Sequence, residues 1–170
     1  MSTTTVLRFC KKMGCDGYSE FKVQFKLYLG SQIQPETDVD ISNLTDYLKR
    51  FKTEEYMRTI DRSAALLKQS SNIIFIGVGT SGMLAKYGAR YFSNMGHFAV
   101  GLEDALYPIE AFHWNHTVVI ACSESGETEP LIEAVGQFQK KKCCVLSITN
   151  SPLSTLARLS DWNFSYQLNT

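Results

Sequence analysis

Five consecutive apolar residues, Val118 to Cys122, run without a break into Ser123-Glu124-Ser125-Gly126-Glu127-Thr128. Helix-forming sequence, Glu129-Pro130-Leu131-Ile132-Glu133-Ala134, starts immediately afterwards. A short apolar run with no polar alternation predicts a strand buried on both faces, the environment of a parallel sheet. The hydroxyl- and glycine-rich segment must then turn the chain and start a helix. Such a junction gathers backbone N–H groups at one spot, and the helix macrodipole adds partial positive charge there. The spot suits an anion, most often a phosphate. Ser123, Ser125 and Thr128 place hydroxyl donors around it.

The same pattern occurs upstream. Asn72-Ile73-Ile74-Phe75-Ile76 is another continuous apolar run, and it leads into Gly77-Val78-Gly79-Thr80-Ser81-Gly82. A helix to about Met95 follows, with Leu84, Gly88, Tyr91, Phe92 and Met95 on one face. Phe98 to Val100, Cys143 to Thr149 and, more weakly, Trp162 to Leu168 read as further strands. Strands alternating with helices predict a three-layer α/β/α sandwich. Its sheet is mainly parallel and five-stranded, doubly wound in the flavodoxin-like manner, and helical segments precede it.

Ile41 to Gln69 has a helical pattern, with Leu44 and Leu48 on one stripe and Tyr56, Ile60, Ala64 and Leu67 on another. Residues 3–12 read as a basic helix. Gly14 is its stop, Asp16-Gly17 a turn, and Ser19 the cap of a helix to about Leu29. Gly30 to Asp40, with Pro35, reads as a linker. The expected organisation is a helical unit over 1–29, a linker and helical lead-in over 30–69, and the α/β domain over 70–170.

Composition narrows the partners. The chain has 170 residues, 44% of them hydrophobic, which suits one globular domain with a core and a short appendage. Lys+Arg 17 balance Asp+Glu 17, so no global charge draws it to nucleic acid or membrane. No apolar run approaches the ~20 residues of a membrane helix. The start is polar and has no signal-peptide core. The five cysteines are odd in number and lack metal-ligand spacing, and Cys122 and Cys143 lie in apolar runs as buried thiols. A reducing, cytoplasmic protein without a metal or cofactor is the expectation.

Gly77 to Gly82 is a literal GxGxxG, and Glu103-Asp104 follows at about the ~20-residue offset of a ribose contact, so a nicotinamide oxidoreductase is the first rival. Adjacent hydroxyls at Thr80-Ser81 argue against it, because dinucleotide folds bring bare backbone to the pyrophosphate. The second hydroxyl loop has no role in that scheme, and no catalytic domain is expected to follow. Ligands of open parallel sheets sit beyond the carboxyl ends of strands, where strand order switches. Two loops there can divide the work, one on a phosphate and one on a polyol, which predicts a sugar phosphate. Glu124 is awkward, since a carboxylate turned inward repels a phosphate. Either it points to solvent and supplies only its N–H, or the ligand carries an amino-bearing or less charged group. Glu127 and Glu129 are first-turn acids that complement the dipole. His113 and His116 are minor candidates for a general base, and Lys140-Lys141-Lys142 suits a helix C-terminus.

Ile74 to Gly82, then Ser123-x-Ser125-Gly126-Glu127-Thr128, then Leu146 to Ser154 with Leu156-Ala157 and Asp161, closely resemble a sugar isomerase (SIS) domain over roughly residues 60–168. The resemblance implies a phosphosugar-binding sandwich, usually dimeric. Phosphate would lie on Ser123, Ser125, Gly126 and Thr128, with Glu124 in the same loop, and sugar near Gly79, Thr80 and Ser81. Ser2 to Gly14 and Gly17 to Lys22 resemble the end of the helix-turn-helix domain of RpiR-type transcriptional regulators. That implies a recognition helix from Thr3 to Lys12, with Thr3, Thr4, Thr5, Arg8 and Lys12 toward DNA and Val6, Leu7 and Phe9 toward the domain core. The implied function is a phosphosugar-sensing regulator, a homodimer or higher homo-oligomer, in which an effector modulates operator binding by the full-length protein. A phosphosugar isomerase on the same fold is the alternative. The chain is expected to be a fragment, truncated at both ends.

Overall fold

The computed structural model describes residues 3–32, 45–46, 48–49 and 52–167. Most of the expected linker, Leu44 of one helical stripe, and Leu168 lie outside them. Two compact units divide the chain, residues 1–41 and 42–170.

In the first unit, α1 (Thr3–Lys12) and α2 (Tyr18–Gln32) form a helical pair. Gly14 ends α1 as expected. Its N–H donates to Lys11 O at 3.1 Å and the Cys15 N–H to Cys10 O at 3.0 Å, the paired bonds of a Schellman cap. The start of α2 differs from expectation. Ser19 lies inside its first turn, and Glu20 reaches back to accept the Asp16 N–H at 2.6 Å. The acid serves better here because its longer side chain spans the turn. The buried face of α1 also differs: Cys10 is wholly buried, whereas Leu7 and Phe9 are 43% and 50% exposed. Phe9 meets Phe21 edge-on at 5.3 Å, and Phe21 stacks on Phe25. Gly30 to Gln32 continue α2 rather than opening the linker.

The second unit runs α3 (Glu54–Gln69), β1 (Asn72–Gly77), α4 (Thr80–Asn94), β2 (Ala99–Leu102), a 3-10 turn (Ile109–Ala111), β3 (Thr117–Cys122), α5 (Glu129–Lys140), β4 (Cys144–Thr149), α6 (Thr155–Leu159) and β5 (Trp162–Ser165). The sheet has five strands in the order β2-β1-β3-β4-β5. Every neighbouring pair is parallel. Ile73, Phe75, Val118, Ile120, Cys122 and Leu146 point to one face, against Ala85 and Ala89 of α4 and Leu66 and Leu67 of α3. Ile74, Ile76, Val119, Ala121 and Val145 point to the other, against Leu131, Val135 and Phe138 of α5 and Leu156 of α6. The unbroken apolar runs are thus explained by burial of both faces.

Two helical expectations shift. The helix expected from Ile41 to Gln69 is interrupted at Thr53, whose backbone is extended (φ −74, ψ 142) while its hydroxyl accepts the Tyr56 N–H at 3.3 Å. This cap starts α3 afresh. The inward stripe of α3 passes through Ser63, 4% exposed, and leaves Ala64 outside. On α4 the expected apolar face mostly faces outward: Leu84, Tyr91 and Met95 are 65%, 54% and 54% exposed. The buried residues are Gly82, Ala85 and Ala89. The helix lies so close to the sheet that a Cβ on Gly101 would sit 2.7 Å from the Lys86 Cα, so small residues must occupy the contact.

The Ser63 hydroxyl oxygen is buried and has no hydrogen-bond partner among the described residues. An unsatisfied buried hydroxyl is unfavourable. Ser63→Ala is expected to stabilise the protein by about 1 kcal/mol, read as a higher thermal unfolding midpoint. A lower midpoint contradicts the assignment.

Candidate functional site

The parallel pairing of β1 with β3 runs from Asn72↔Thr117 to Gly77↔Cys122. Both strands therefore end at one level, and the loops that leave them start side by side. Strand order reverses here, with β2 on one side of β1 and β4 and β5 beyond β3. This is the switch point at which open parallel sheets bind ligands. A cleft of about 270 Å³ opens there, with Thr80 and Ser81 of one loop and Ser123 and Glu124 of the other on its polar wall. Phe75, Leu84, Cys122, Ile148 and Tyr166 form the apolar wall.

In the first loop, Gly79 adopts φ 63 and ψ −128, a conformation open to glycine, and caps α4 without a side chain. Its carbonyl accepts the Gly82 N–H at 3.0 Å. Among the described residues, no hydrogen bond engages the N–H or hydroxyl groups of Thr80 and Ser81. They remain available to a ligand.

In the second loop, the Ser123 hydroxyl oxygen accepts the Gly126 N–H at 3.0 Å and lies 3.4 Å from the Thr128 hydroxyl. The Ser125 oxygen accepts the Glu127 N–H at 3.2 Å. The hydroxyls thus shape the loop through their lone pairs, and a hydroxyl so placed keeps its own proton to give. Thr128 starts α5 without a side-chain cap, and Pro130 contributes no N–H to the first turn. The N–H groups of Glu124, Ser125 and Thr128 have no partner among the described residues. A helix N-terminus with free N–H groups and hydroxyls suits a tetrahedral oxyanion.

The segment after β4 clasps this loop. Asn150 N–H donates to Glu124 O at 2.9 Å, and Leu156 N–H to Gly126 O at 3.0 Å. Thr155 N–H donates to the Glu127 carboxylate at 2.7 Å. Gly126 has φ 65, and a Cβ there would overlap the Ser154 side chain, which caps α6. The side-chain and then the backbone hydrogen bond from Thr155, with Arg158 nearby, hold the Glu127 carboxyl below its ordinary pKa. Glu127 thus ties α6 to the loop. Asp161 is likewise structural, accepting the Val145 N–H at 2.8 Å.

The expected ligand residues divide. Thr80, Ser81, Ser123 and Glu124 share the cleft. Gly79, Ser125, Gly126 and Thr128 belong to the same loops without lining it. Sequence reasoning missed the apolar wall, because Ile148 and Tyr166 come from β4 and the segment after β5, and nothing local marks them. Burial pushes the Cys122 thiol up to about 11. His116 precedes β3 and its carbonyl accepts the Ser71 N–H, so it lies at the opposite end of the strands. His113 lines a separate hollow with Phe112 and Trp114. The rival ribose acid is engaged too: Glu103 pairs with Lys86 at 2.5 Å, and Asp104 accepts the Leu106 N–H at 2.8 Å. On α1, Thr3, Thr4, Thr5, Arg8 and Lys12 are all exposed.

An open parallel α/β sandwich with two hydroxyl loops side by side at its switch point is the class that fold and site define. The SIS domain model matches residues 66–168, so the chain belongs to the SIS domain family. The helix-turn-helix domain model of the rpiR family matches residues 1–32. An uncharacterized HTH-type transcriptional regulator of Clostridium perfringens is 25% identical over 95% of this chain and 64% of its own length. The Vibrio vulnificus NanR protein, solved in complex with ManNAc-6P, is similar at 29% identity with a TM-score of 0.70, over 97% of this chain and 63% of that one. The c3406 protein of E. coli CFT073 shares the fold at 24% identity and a TM-score of 0.63, over 73% of this chain and 66% of that one. The chain spans less than two thirds of the first two relatives. No described helix is long and apolar enough to cross a membrane.

Glu127→Ala removes the clasp and lowers the thermal midpoint at neutral pH. A depressed folded pKa means that the carboxylate stabilises fully above the ordinary value of 4.5 and stops doing so as pH falls through the folded value. The gap between wild type and variant is therefore expected to narrow below pH 4.5 in thermal melts across pH. A gap that does not change with pH contradicts the ionic clasp.

Proposed function

We propose that this chain is the effector-sensing part of a transcriptional regulator, in which the SIS domain binds a sugar phosphate that modulates operator binding. The observation that carries this reading is the pair of hydroxyl loops at one switch point, with N–H groups of Glu124, Ser125 and Thr128 left unpaired among the described residues beside the Thr80 and Ser81 hydroxyls. The helix-turn-helix match in the same chain and the similarity to the NanR protein complexed with ManNAc-6P support it. The phosphate sits on Ser123, Ser125, Gly126 and Thr128, and the sugar on Gly79, Thr80 and Ser81. In the whole protein, α1 presents Thr3, Thr4, Thr5, Arg8 and Lys12 to DNA. The regulator acts in the cytoplasm.

Sensing is favoured over catalysis by the engagement of the cleft's neighbours. Glu127 of the cradle loop is held by Thr155, no histidine lines the cleft among the described residues, and Glu124, the carboxylate on the cleft wall, is read as a recognition group. Isomerisation requires a base within reach of a sugar carbon. The regulator also self-associates. Met83, Leu84, Tyr87, Tyr91 and Met95 form an uncharged stripe on α4, each at least 54% exposed. Such a stripe pairs with its own copy about a two-fold axis without charge conflict.

Calorimetric titration with hexose and amino-sugar phosphates is expected to show binding, and no turnover of the bound sugar. Ser125→Ala and Thr128→Ala should each weaken binding by about 1 kcal/mol or more. Unchanged affinity in both variants contradicts the site. Tyr87→Glu is expected to shift the protein toward monomer in light scattering, and an unaltered mass contradicts the interface.

A further inference from the structure

The cleft carries a negative charge and no positive one among the described residues. Neither lysine, arginine nor histidine lines it, and Glu124 stands on its polar wall beside Thr80, Ser81 and Ser123. The Glu124 backbone is fixed. Its carbonyl accepts the Asn150 N–H at 2.9 Å, and the Ser123 N–H next to it donates to Ile148 O at 3.0 Å. Its side chain is exposed, and its carboxylate makes no hydrogen bond or ion pair among the described residues. A role at the helix dipole does not account for it, because Glu129 occupies the first turn of α5 and Glu127 has its own partner in Thr155. A rigidly mounted, unpaired carboxylate beside a phosphate cradle repels a ligand that is anionic throughout. It attracts a ligand that brings a cation of its own, through a charge-assisted N–H to carboxylate hydrogen bond.

We infer that Glu124 is a specificity-determining residue that selects phosphosugars bearing a free amino group. This rests on the phosphosugar reading above. The carboxylate receives the ligand's ammonium, while the phosphate lies on the N–H groups of Ser125 and Thr128. A hydroxyl in the ammonium's place supplies a hydrogen bond but leaves two negative charges facing one another. Discrimination then comes as much from repulsion of the neutral-sugar phosphate as from attraction of the amino sugar.

The test uses matched 6-phosphates, the 2-amino-2-deoxyhexose and the parent hexose, in the gluco, manno and galacto series. Each is titrated calorimetrically into the wild-type chain and Glu124→Gln, at a pH that keeps the amine protonated. The wild type is expected to prefer the amino member of at least one pair by about tenfold or more. In Glu124→Gln the preference falls to about threefold or less, and inorganic phosphate binds more tightly than in the wild type. Equal binding of every pair by the wild type overturns the inference and leaves the phosphosugar reading standing, and so does a preference that survives in the variant. If no member of any pair binds, the phosphosugar reading itself falls, and this inference with it.

Discussion

The parallel ladder between β1 and β3 is the constraint on which the rest depends. Its register places Gly77 beside Cys122, so two chain segments more than 40 residues apart leave the sheet at one level. Each leaves at the carboxyl end of a strand and enters a helix, so both helix N-termini converge on one spot. Shift the register and the hydroxyls of Thr80 and Ser81 no longer share a cleft with Ser123 and Glu124. The ladder holds because both strands are buried on both faces, where a slip would unpair backbone groups that water cannot reach.

The second loop is shaped largely from outside itself. Asn150, Thr155 and Leu156 each donate a backbone N–H to it, and Ser154 packs against the one loop position that tolerates no side chain. This explains why Glu127 acts as a clasp although its place beside the cradle suggests chemistry. A carboxylate that already accepts the Thr155 N–H is poorly placed to move a proton on a ligand. Glu124 is the contrasting case: its backbone is held and its side chain has no partner among the described residues. The same loop therefore carries one acid engaged with α6 and one exposed on the cleft wall.

Much of this was legible in the sequence, and for definite reasons. The apolar runs at 72–76 and 118–122 lack alternation, which only a doubly covered strand explains. The stop at Gly14 was legible because a Schellman cap is a local event. The buried face of α4 was not. Period alone marks Leu84, Gly88 and Tyr91 as one face, but the sheet approaches so closely that Gly82, Ala85 and Ala89 make the contact and the bulky residues turn outward. The start of α3 was obscured because Thr53 interrupts a pattern that remains helical on both sides. Ser19 was a reasonable cap by residue type, and Glu20 took the role because it could reach the Asp16 N–H.

By itself the sequence determined the alternation of strand and helix, the two hydroxyl loops, and hence a parallel sandwich. These follow from local patterning and from the chemistry of the residues in each loop. Only the tertiary structure decided that the loops are neighbours, that Ile148 and Tyr166 complete the cleft wall, and that Glu103 and Glu127 are engaged while Glu124 is not, among the described residues. Strand order, register and the partners of each carboxylate depend on contacts between distant segments, and no local pattern encodes which distant group will arrive.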